Sequence, residues 1–165
     1  RRIVAPEALS RFYVSREPGR HGPVSVVGGT WMTREDRENE IRDYVRYLDM
    51  LRDEVGAHGT PTTVLAFSQG VATACRWVTY GRIRPRRLVL WGDYLPPDLD
   101  MGAARVALAD TELLIVRGTA DPALDEKLRA REQASLEAAG IAHRFVSYEG
   151  GHDIYLETLS GLARL

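Results

Sequence analysis

The stretch TTVLAFSQG, residues 62–70, decides the fold. Its first part, 62–67, is rich in β-branched and apolar residues and is typical of a buried strand, whereas residues 69–80 have helical spacing. Ser68 lies between the two, where it either caps the helix or is presented as a nucleophile on a sharp strand-to-helix turn. In the second case the first N–H groups of the helix point at the charge that develops near the hydroxyl. Taken alone, the pentapeptide Ala66–Gly70 leaves both interpretations open.

The same change from a short apolar run to a helical segment recurs along the chain. Strands are predicted at 2–5, 62–67, 87–91, 112–117 and 142–148, with a possible short strand at 24–27, and helices at 33–55, 69–80, 122–139 and 153–165. Thr33 is the expected cap of the first helix, and Pro122 suits the first turn of the third. Residues 6–30 otherwise form a long loop rich in Gly and Pro. This alternation predicts an α/β fold with a mostly parallel sheet.

Length and composition predict an ordinary soluble globular domain. The 165 residues are enough for one domain with its own core, spanning 1–165. A net charge of -1 gives no strong field that would attract nucleic acid or an anionic membrane. Cys75 is the single cysteine, so an internal disulfide is impossible, and we expect a cytoplasmic protein. The chain begins without Met, inside a predicted strand, and we expect an N-terminal segment to be missing.

Two more motifs follow predicted strands. Gly118–Pro122 comes after strand 112–117, and its Asp121 could orient a histidine or simply cap a helix opening at Pro122. Gly150–Asp153 comes after strand 142–148, and its His152 is either a base on a glycine-flanked loop or an exposed loop histidine. The other histidines are weaker candidates, because His21 and His58 follow no strong strand and His143 lies within one.

Together the three motifs favour catalysis over three independent caps. The carboxyl ends of parallel strands meet at one edge of a sheet. Ser68, Asp121 and His152 also follow the order Ser, Asp, His of α/β-hydrolases. We therefore expect Ser68 as nucleophile, His152 as general base and Asp121 as the acid that orients it. Asp93, which also follows a strand, is the rival acid.

On these residues the chain resembles the phospholipase/carboxylesterase family of α/β-hydrolases, which includes acyl-protein thioesterase-like enzymes. The matching pieces are Phe67-Ser68-Gln69-Gly70, Gly118–Pro122 and Gly151-His152, with weaker matches at Val4-Ala5-Pro6 and Trp31. The chain departs from the family at Ala66, where the G-x-S-x-G pattern has Gly, and at Val71, where a second Gly is usual.

The resemblance implies a three-layer α/β-hydrolase-like fold and hydrolysis of esters or thioesters through an acyl-enzyme. It implies no cofactor, and the histidines lack the spacing of metal ligands. The backbone N–H of Gln69 is the expected oxyanion donor. The family's other donor belongs to a His-Gly motif that would precede Arg1, and His21-Gly22 is no substitute for it.

A substrate pocket is harder to predict. Apolar residues of the loop before the first helix and of the loop after strand 87–91 could form it, or could simply anchor their loops in the core: Phe12, Trp31, Met32, Tyr94 and Leu95. We expect a small-molecule ester substrate and neither a nucleic-acid partner nor a membrane span; the oligomeric state stays open. The leading hypothesis is a serine carboxylesterase. The alternatives are a catalytically silent protein that binds small ligands and, with less support, an acyltransferase.

Overall fold

A parallel sheet lies at the centre of the structure, a computed structural model that describes residues 2–14, 22–56 and 59–164. Along this part of the chain the elements are β1 (Ser10–Tyr13), β2 (Val27–Thr30), α1 (Arg37–Glu54), β3 (Thr63–Phe67), α2 (Gln69–Tyr80), β4 (Arg87–Trp91), α3 (Met101–Ala107), β5 (Glu112–Gly118), α4 (Glu126–Ala139), β6 (His143–Tyr148) and α5 (Leu156–Arg164). The mostly parallel α/β architecture that the sequence predicts is confirmed.

The described strands form two sheets. β3, β4, β5 and β6 pair in that order, each parallel to the next, while β1 and β2 form a separate antiparallel pair. In the parallel sheet Phe67 is opposite Trp91, and Gly118 is opposite Tyr148. The segments that follow these strands therefore leave the sheet at one edge, which brings distant parts of the chain together.

Helices cover both faces of the parallel sheet. On one face α2, α3 and α4 bury the larger apolar cluster, which includes Val71, Leu88, Ile115 and Leu136. On the other face α5 contributes Leu162 to a cluster around Trp91. The central strands β4 and β5 are buried on both faces and are nearly continuous apolar runs, which is why the sequence predicts them well. The outer strands β3 and β6 are more exposed.

The helix α1 packs outside this core, against α2. Tyr44 and Leu48 are buried there in a cluster that also contains Trp31 and Trp77. Asp49 is a buried carboxylate on the same helix, and it accepts hydrogen bonds from the Trp77 indole at 2.9 Å and from the Arg82 backbone N–H at 3.0 Å. A buried charge is stable only when it is satisfied in this way.

The N-terminal strand prediction is wrong. Residues 2–8 form no strand, and the β1–β2 hairpin lies within the predicted loop 6–30, so that only Val27 of the predicted strand 24–27 is in β2. Gly28 faces the ring of Phe12 so closely that a Cβ would come 2.8 Å from it. Glycine weakens a strand pattern in the sequence, but here its missing side chain makes room for the opposite residue.

Three helix starts also differ from prediction, and one helix was missed. Thr33 does not cap α1; instead its N–H donates to the Glu40 carboxylate at 2.6 Å, and the helix begins at Arg37. Asp125 rather than the segment at Pro122 caps α4, with its side chain accepting from two N–H groups. The helix α5 begins at Leu156, three residues late, and the seven-residue α3 was not predicted. Within the described residues no helix is both long enough and apolar enough to cross a bilayer.

Candidate active site

Ser68 sits on a strained turn between β3 and α2. Its φ is 52° and its ψ is -126°. Among the described residues it is the only one other than glycine with a positive φ. Its side chain makes no capping hydrogen bond to α2, so the capping interpretation does not describe it. Its backbone N–H donates to the carbonyl of Trp91 at 2.9 Å, which fixes the turn to the end of β4. Strain of this kind costs about 1–3 kcal/mol and concentrates at functional sites.

The residues on either side of Ser68 are small enough for this turn. A Cβ added to Gly70 would lie 3.9 Å from the Cβ of Ala66, an ordinary van der Waals distance. Ala66 in place of the first glycine of G-x-S-x-G is therefore accommodated. Gln69 is the first residue of α2, where the backbone N–H has no acceptor within its own helix.

His152 joins Ser68 to Asp121. Its Nε2 lies 3.0 Å from the Ser68 hydroxyl, and its Nδ1 lies 2.8 Å from Oδ2 of Asp121. In the neutral tautomer that this arrangement favours, Nδ1–H donates to the carboxylate and Nε2 accepts from the hydroxyl. The Asp121 side chain is fully buried and that of His152 is 32% exposed. The sequence therefore predicted three residues that the fold brings into one hydrogen-bonded chain.

A close approach between two loops makes this contact. Thr119 N–H donates to the carbonyl of Tyr148, and Ala120 N–H donates to that of Gly150, each at 2.9 Å. A methyl group at Gly118 would overlap the carbonyl oxygens of Gly150 and Gly151. The loops that carry Asp121 and His152 can lie this close only because residue 118 has no side chain.

The imidazole of His152 is held between Phe67 and Gly92. The centroids of the Phe67 ring and the His152 imidazole are 4.9 Å apart. Gly92 has a φ of +78°, and a Cβ there would come 3.3 Å from Cε1 of His152 and 3.1 Å from the Phe67 ring. A side chain at residue 92 would therefore press on both the imidazole and the Phe67 ring.

Both oxygens of the Asp121 carboxylate are used. Oδ1 accepts from the backbone N–H of Ala123 at 2.9 Å, while Oδ2 faces His152. The rival acid Asp93 instead accepts from the N–H of Tyr94 at 2.8 Å, and within the described residues it makes no hydrogen bond to His152. Geometry therefore favours Asp121 as the partner of the imidazole.

The predicted pocket residues are scattered. Trp31 packs on Tyr44 and Tyr47 of α1, Met32 joins the same cluster, and Leu95 packs against the main core. These three have the anchoring arrangement that the sequence left open as the alternative. Phe12 is half exposed on the hairpin. The hydroxyl of Tyr94 bonds to the backbone of Asp125, so its ring spans the loops after β4 and β5.

Sequence reasoning missed two sets of polar contacts around the site. The side chain of Gln69 bonds to Thr30, to the N–H of Trp31 at 3.0 Å and to the carbonyl of Met32 at 3.0 Å, which ties the loop after β2 to the residue after Ser68. No local pattern in the sequence signals these contacts, because they join residues almost 40 positions apart.

The second set is a buried ion pair next to the Asp121 loop. Arg117 lies 3.1 Å from Glu132, which also accepts from the N–H of Leu95 at 2.8 Å. The guanidinium lies over the ring of Tyr94, 5.0 Å from its centroid. Burial raises the pKa of the Glu132 carboxyl, and the attraction of Arg117 opposes that effect. The pair links β5 and α4 to the loop after β4.

Other candidate nucleophiles and bases are not part of this arrangement. Burial raises the pKa of the Cys75 thiol to about 12, so it is a thiol and not a reactive thiolate near neutral pH. His143 contacts the carbonyl of Ile141, and His21 and His58 lie outside the described residues. Among the residues that the structure describes, no cluster of three His, Cys, Asp or Glu side chains could hold a metal ion.

Similarity to known proteins is found for the structure of this chain but not for its sequence. No protein-family model and no curated protein matches it. A variant of SOBER1 from Arabidopsis thaliana matches with a TM-score of 0.66 and 19% identity, over 85% of this chain and 74% of that one. Esterase PE8 matches with a TM-score of 0.59 and 19% identity, over 83% and 70%. The Bacillus cereus carboxylesterase matches with a TM-score of 0.56 and 14% identity, over 77% and 58%. The α/β-hydrolase-like fold expected from the sequence resemblance is thereby confirmed.

Proposed function

We propose that the protein is a serine carboxylesterase that hydrolyses carboxylic esters or thioesters through an acyl-enzyme on Ser68. The observation that carries the proposal is the hydrogen-bonded chain from the Ser68 hydroxyl through His152 to Asp121. Ester hydrolysis needs a nucleophile, a base within hydrogen-bonding reach and a group that orients the base. The similarity in fold to an esterase and a carboxylesterase supports the same reaction class.

In the first half of the reaction Ser68 becomes acylated. Its Oγ attacks the carbonyl carbon of the ester while His152 Nε2 takes the hydroxyl proton. Asp121 accepts the Nδ1–H bond throughout and stabilises the imidazolium. The tetrahedral intermediate then collapses, and the imidazolium returns its proton to the departing alcohol or thiol. The bond between the acyl carbon and Ser68 Oγ replaces the bond to the leaving group.

Negative charge develops on the carbonyl oxygen during this step. The N–H of Gln69 is the donor we assign to it, because the first residue of α2 has no N–H acceptor within its own helix and lies at the positive end of the helix dipole. Losing one such donor typically slows the reaction by about 100- to 1000-fold.

In the second half a water molecule takes the place of the alcohol. His152 Nε2 removes a proton from the water as the water attacks the acyl carbon. The imidazolium then returns that proton to Ser68 Oγ as the acid leaves. Every group needed for this half is already engaged in the first half. The proposal therefore requires no cofactor.

We propose small or medium uncharged acyl groups as substrates, because apolar side chains lie next to His152 in space or in sequence. Phe67 lies against His152, and the exposed side chains of Ile154 and Leu156 follow His152 along the chain. We therefore choose p-nitrophenyl acetate and p-nitrophenyl butyrate as test substrates. We expect hydrolysis of both by the wild-type protein.

The variant that tests the proposal is Ser68→Ala. We expect kcat/KM for p-nitrophenyl butyrate to fall at least 1000-fold, on the order of the loss known for triad nucleophiles. Ser135→Ala is the matched control, because Ser135 is exposed on α4, and it should hydrolyse the ester at the wild-type rate. Equal rates for Ser68→Ala and wild type would reject the proposal. Absence of turnover in wild type with retained ester binding would favour the silent ligand-binding alternative.

A further inference from the structure

We propose that Tyr148 and Trp91 are positioning residues for His152, holding the backbone on both sides of it. The inference rests on the proposed function, because the position of His152 matters for rate only if it acts as the base. Neither residue touches the reacting atoms in the contacts described above. Their role is to fix where the imidazole is held.

The contacts bracket His152 closely. The hydroxyl of Tyr148 lies 2.8 Å from the carbonyl oxygen of Gly151 and 2.6 Å from that of Asp153. The indole N–H of Trp91 donates to the same Asp153 carbonyl at 3.0 Å and to the Tyr148 hydroxyl at 3.1 Å. The residues immediately before and after His152 are therefore both bound to this pair of side chains.

The two aromatic side chains form a rigid support. Trp91 is fully buried and Tyr148 is 8% exposed, and their ring centroids are 5.4 Å apart. Each ends a strand of the parallel sheet, β4 and β6 respectively. Side chains that are buried in a close-packed core have few alternative positions. The loop that carries His152 is thus bound to side chains that are packed in the core.

Trp91 also connects this support to the nucleophile. Its backbone carbonyl accepts the N–H of Ser68 at 2.9 Å, while its indole binds the Asp153 carbonyl. One residue therefore fixes the turn that presents the hydroxyl and, from its other side, the loop that presents the imidazole. The 3.0 Å distance between Ser68 Oγ and His152 Nε2 depends on both.

Removing the Tyr148 hydroxyl should loosen this loop. The hydroxyl has one proton to donate, to Gly151 or Asp153, and it accepts from Trp91. Without it the Gly151 carbonyl loses a partner, and the loop is expected to shift to recover one. A displacement of about 1 Å in a catalytic group can lower the rate about 100-fold. The loss should appear in kcat, since the expected shift moves the base, and no substrate-binding role is assigned to the Gly151 and Asp153 carbonyls.

The test compares Tyr148→Phe with Tyr155→Phe. Tyr155 stacks on Tyr148 at 4.8 Å, but within the described residues its hydroxyl makes no hydrogen bond, so its removal is a matched control. For p-nitrophenyl butyrate we expect Tyr148→Phe to lower kcat by about 10- to 100-fold, within the range for a displaced catalytic group, with KM changed less than twofold. Tyr155→Phe should match the wild type in both parameters.

A second readout separates this inference from the proposed function. The Nδ1–H proton between His152 and Asp121 can be followed by ¹H–¹⁵N spectroscopy of histidine-labelled protein, whether or not the protein is active. We expect its resonance to be broadened by exchange in Tyr148→Phe and unchanged in Tyr155→Phe.

The outcomes are distinguishable. If the wild type hydrolyses no ester but its spectrum responds as expected to Tyr148→Phe, the proposed function fails and the positioning role stands. If the wild type is active and Tyr148→Phe equals Tyr155→Phe in kcat and in the spectrum, the positioning role is wrong and the proposed function stands.

Discussion

The backbone at Ser68 shows the physical cost of presenting a hydroxyl on a turn. Its positive φ is a conformation that residues with a Cβ rarely adopt. Glycine adopts it without strain. The proposed function explains why serine is nevertheless there: the hydroxyl must reach His152, and a glycine would supply none.

This strain predicts a trade-off between stability and activity. The free energy of unfolding should be about 1 kcal/mol higher for Ser68→Gly than for Ser68→Ala, because alanine keeps the Cβ that the turn disfavours. Urea denaturation of the two inactive variants side by side measures the difference. A glycine variant that is no more stable than the alanine variant would show that the turn is not strained.

Gly118 is the residue on which the contact between the Asp121 and His152 loops depends. Gly118→Ala would press a methyl group against the backbone carbonyls of Gly150 and Gly151. Because these are backbone atoms, no side-chain rotation can relieve the clash. We expect it to destabilise the fold by about 1–3 kcal/mol, as overpacking usually does, and to lower kcat/KM for p-nitrophenyl butyrate at least 10-fold.

Gly161→Ala is the control for this substitution. Gly161 lies in α5, and a Cβ there would meet nothing within 4 Å. The change should stabilise the protein by about 0.5–1 kcal/mol because alanine favours a helix. The account of the loop contact would be wrong if Gly118→Ala were as stable and as active as this control.

Among the elements, α1 and α2 are joined by a shared carboxylate. Asp98 accepts from Arg37 of α1 at 2.8 Å and from Arg76 of α2 at 2.7 Å. Partial burial raises the pKa of Asp98, but the bonds from the two guanidinium groups outweigh it, and the net pKa is lowered. The group therefore stabilises the folded state above its unfolded pKa of about 3.9. This contribution is lost as the pH falls from there through the folded pKa.

The prediction is that Asp98→Asn weakens the acid sensitivity of the fold. The free energy of unfolding should drop less between pH 6 and pH 3 for Asp98→Asn than for the wild type, by a difference below about 1 kcal/mol because the side chain is partly exposed. Asp110→Asn is the control, since Asp110 is exposed and has no ion-pair partner among the described residues. An equal pH dependence in all three proteins would contradict this role of Asp98.

The elements also differ in how far the sequence could predict them. β3, β4, β5 and β6 lie within about one residue of prediction. For β4 and β5 the reason is that a strand buried on both faces is a local apolar run. The hairpin of β1 and β2 was not predicted, since it pairs residues 14 to 20 positions apart and includes Gly28 and Gly29. Helix starts shifted because Thr33 donates to Glu40 instead of capping α1, and because Asp125 rather than the segment at Pro122 caps α4.

At the scale of the whole molecule, the parallel sheet explains why the candidate site was predictable. Any residue that directly follows a strand of such a sheet lies at one edge, so the order of Ser68, Asp121 and His152 in the sequence was enough to expect their contact. Their catalytic roles remain predictions. The supporting contacts of Gln69, Trp91 and Tyr148 could not be expected, because they depend on which side chains the register places opposite each other.

The most direct test of the central claim is labelling with a fluorophosphonate probe, followed by intact-mass measurement and peptide mapping. The account predicts one probe per chain, attached to Ser68 in the wild type, no labelling of Ser68→Ala, and much slower labelling of His152→Ala. The probe reacts only with a serine whose hydroxyl is activated, so it tests the nucleophile without requiring the natural substrate. An unlabelled wild-type protein, or a probe attached equally to Ser68→Ala, would contradict the account.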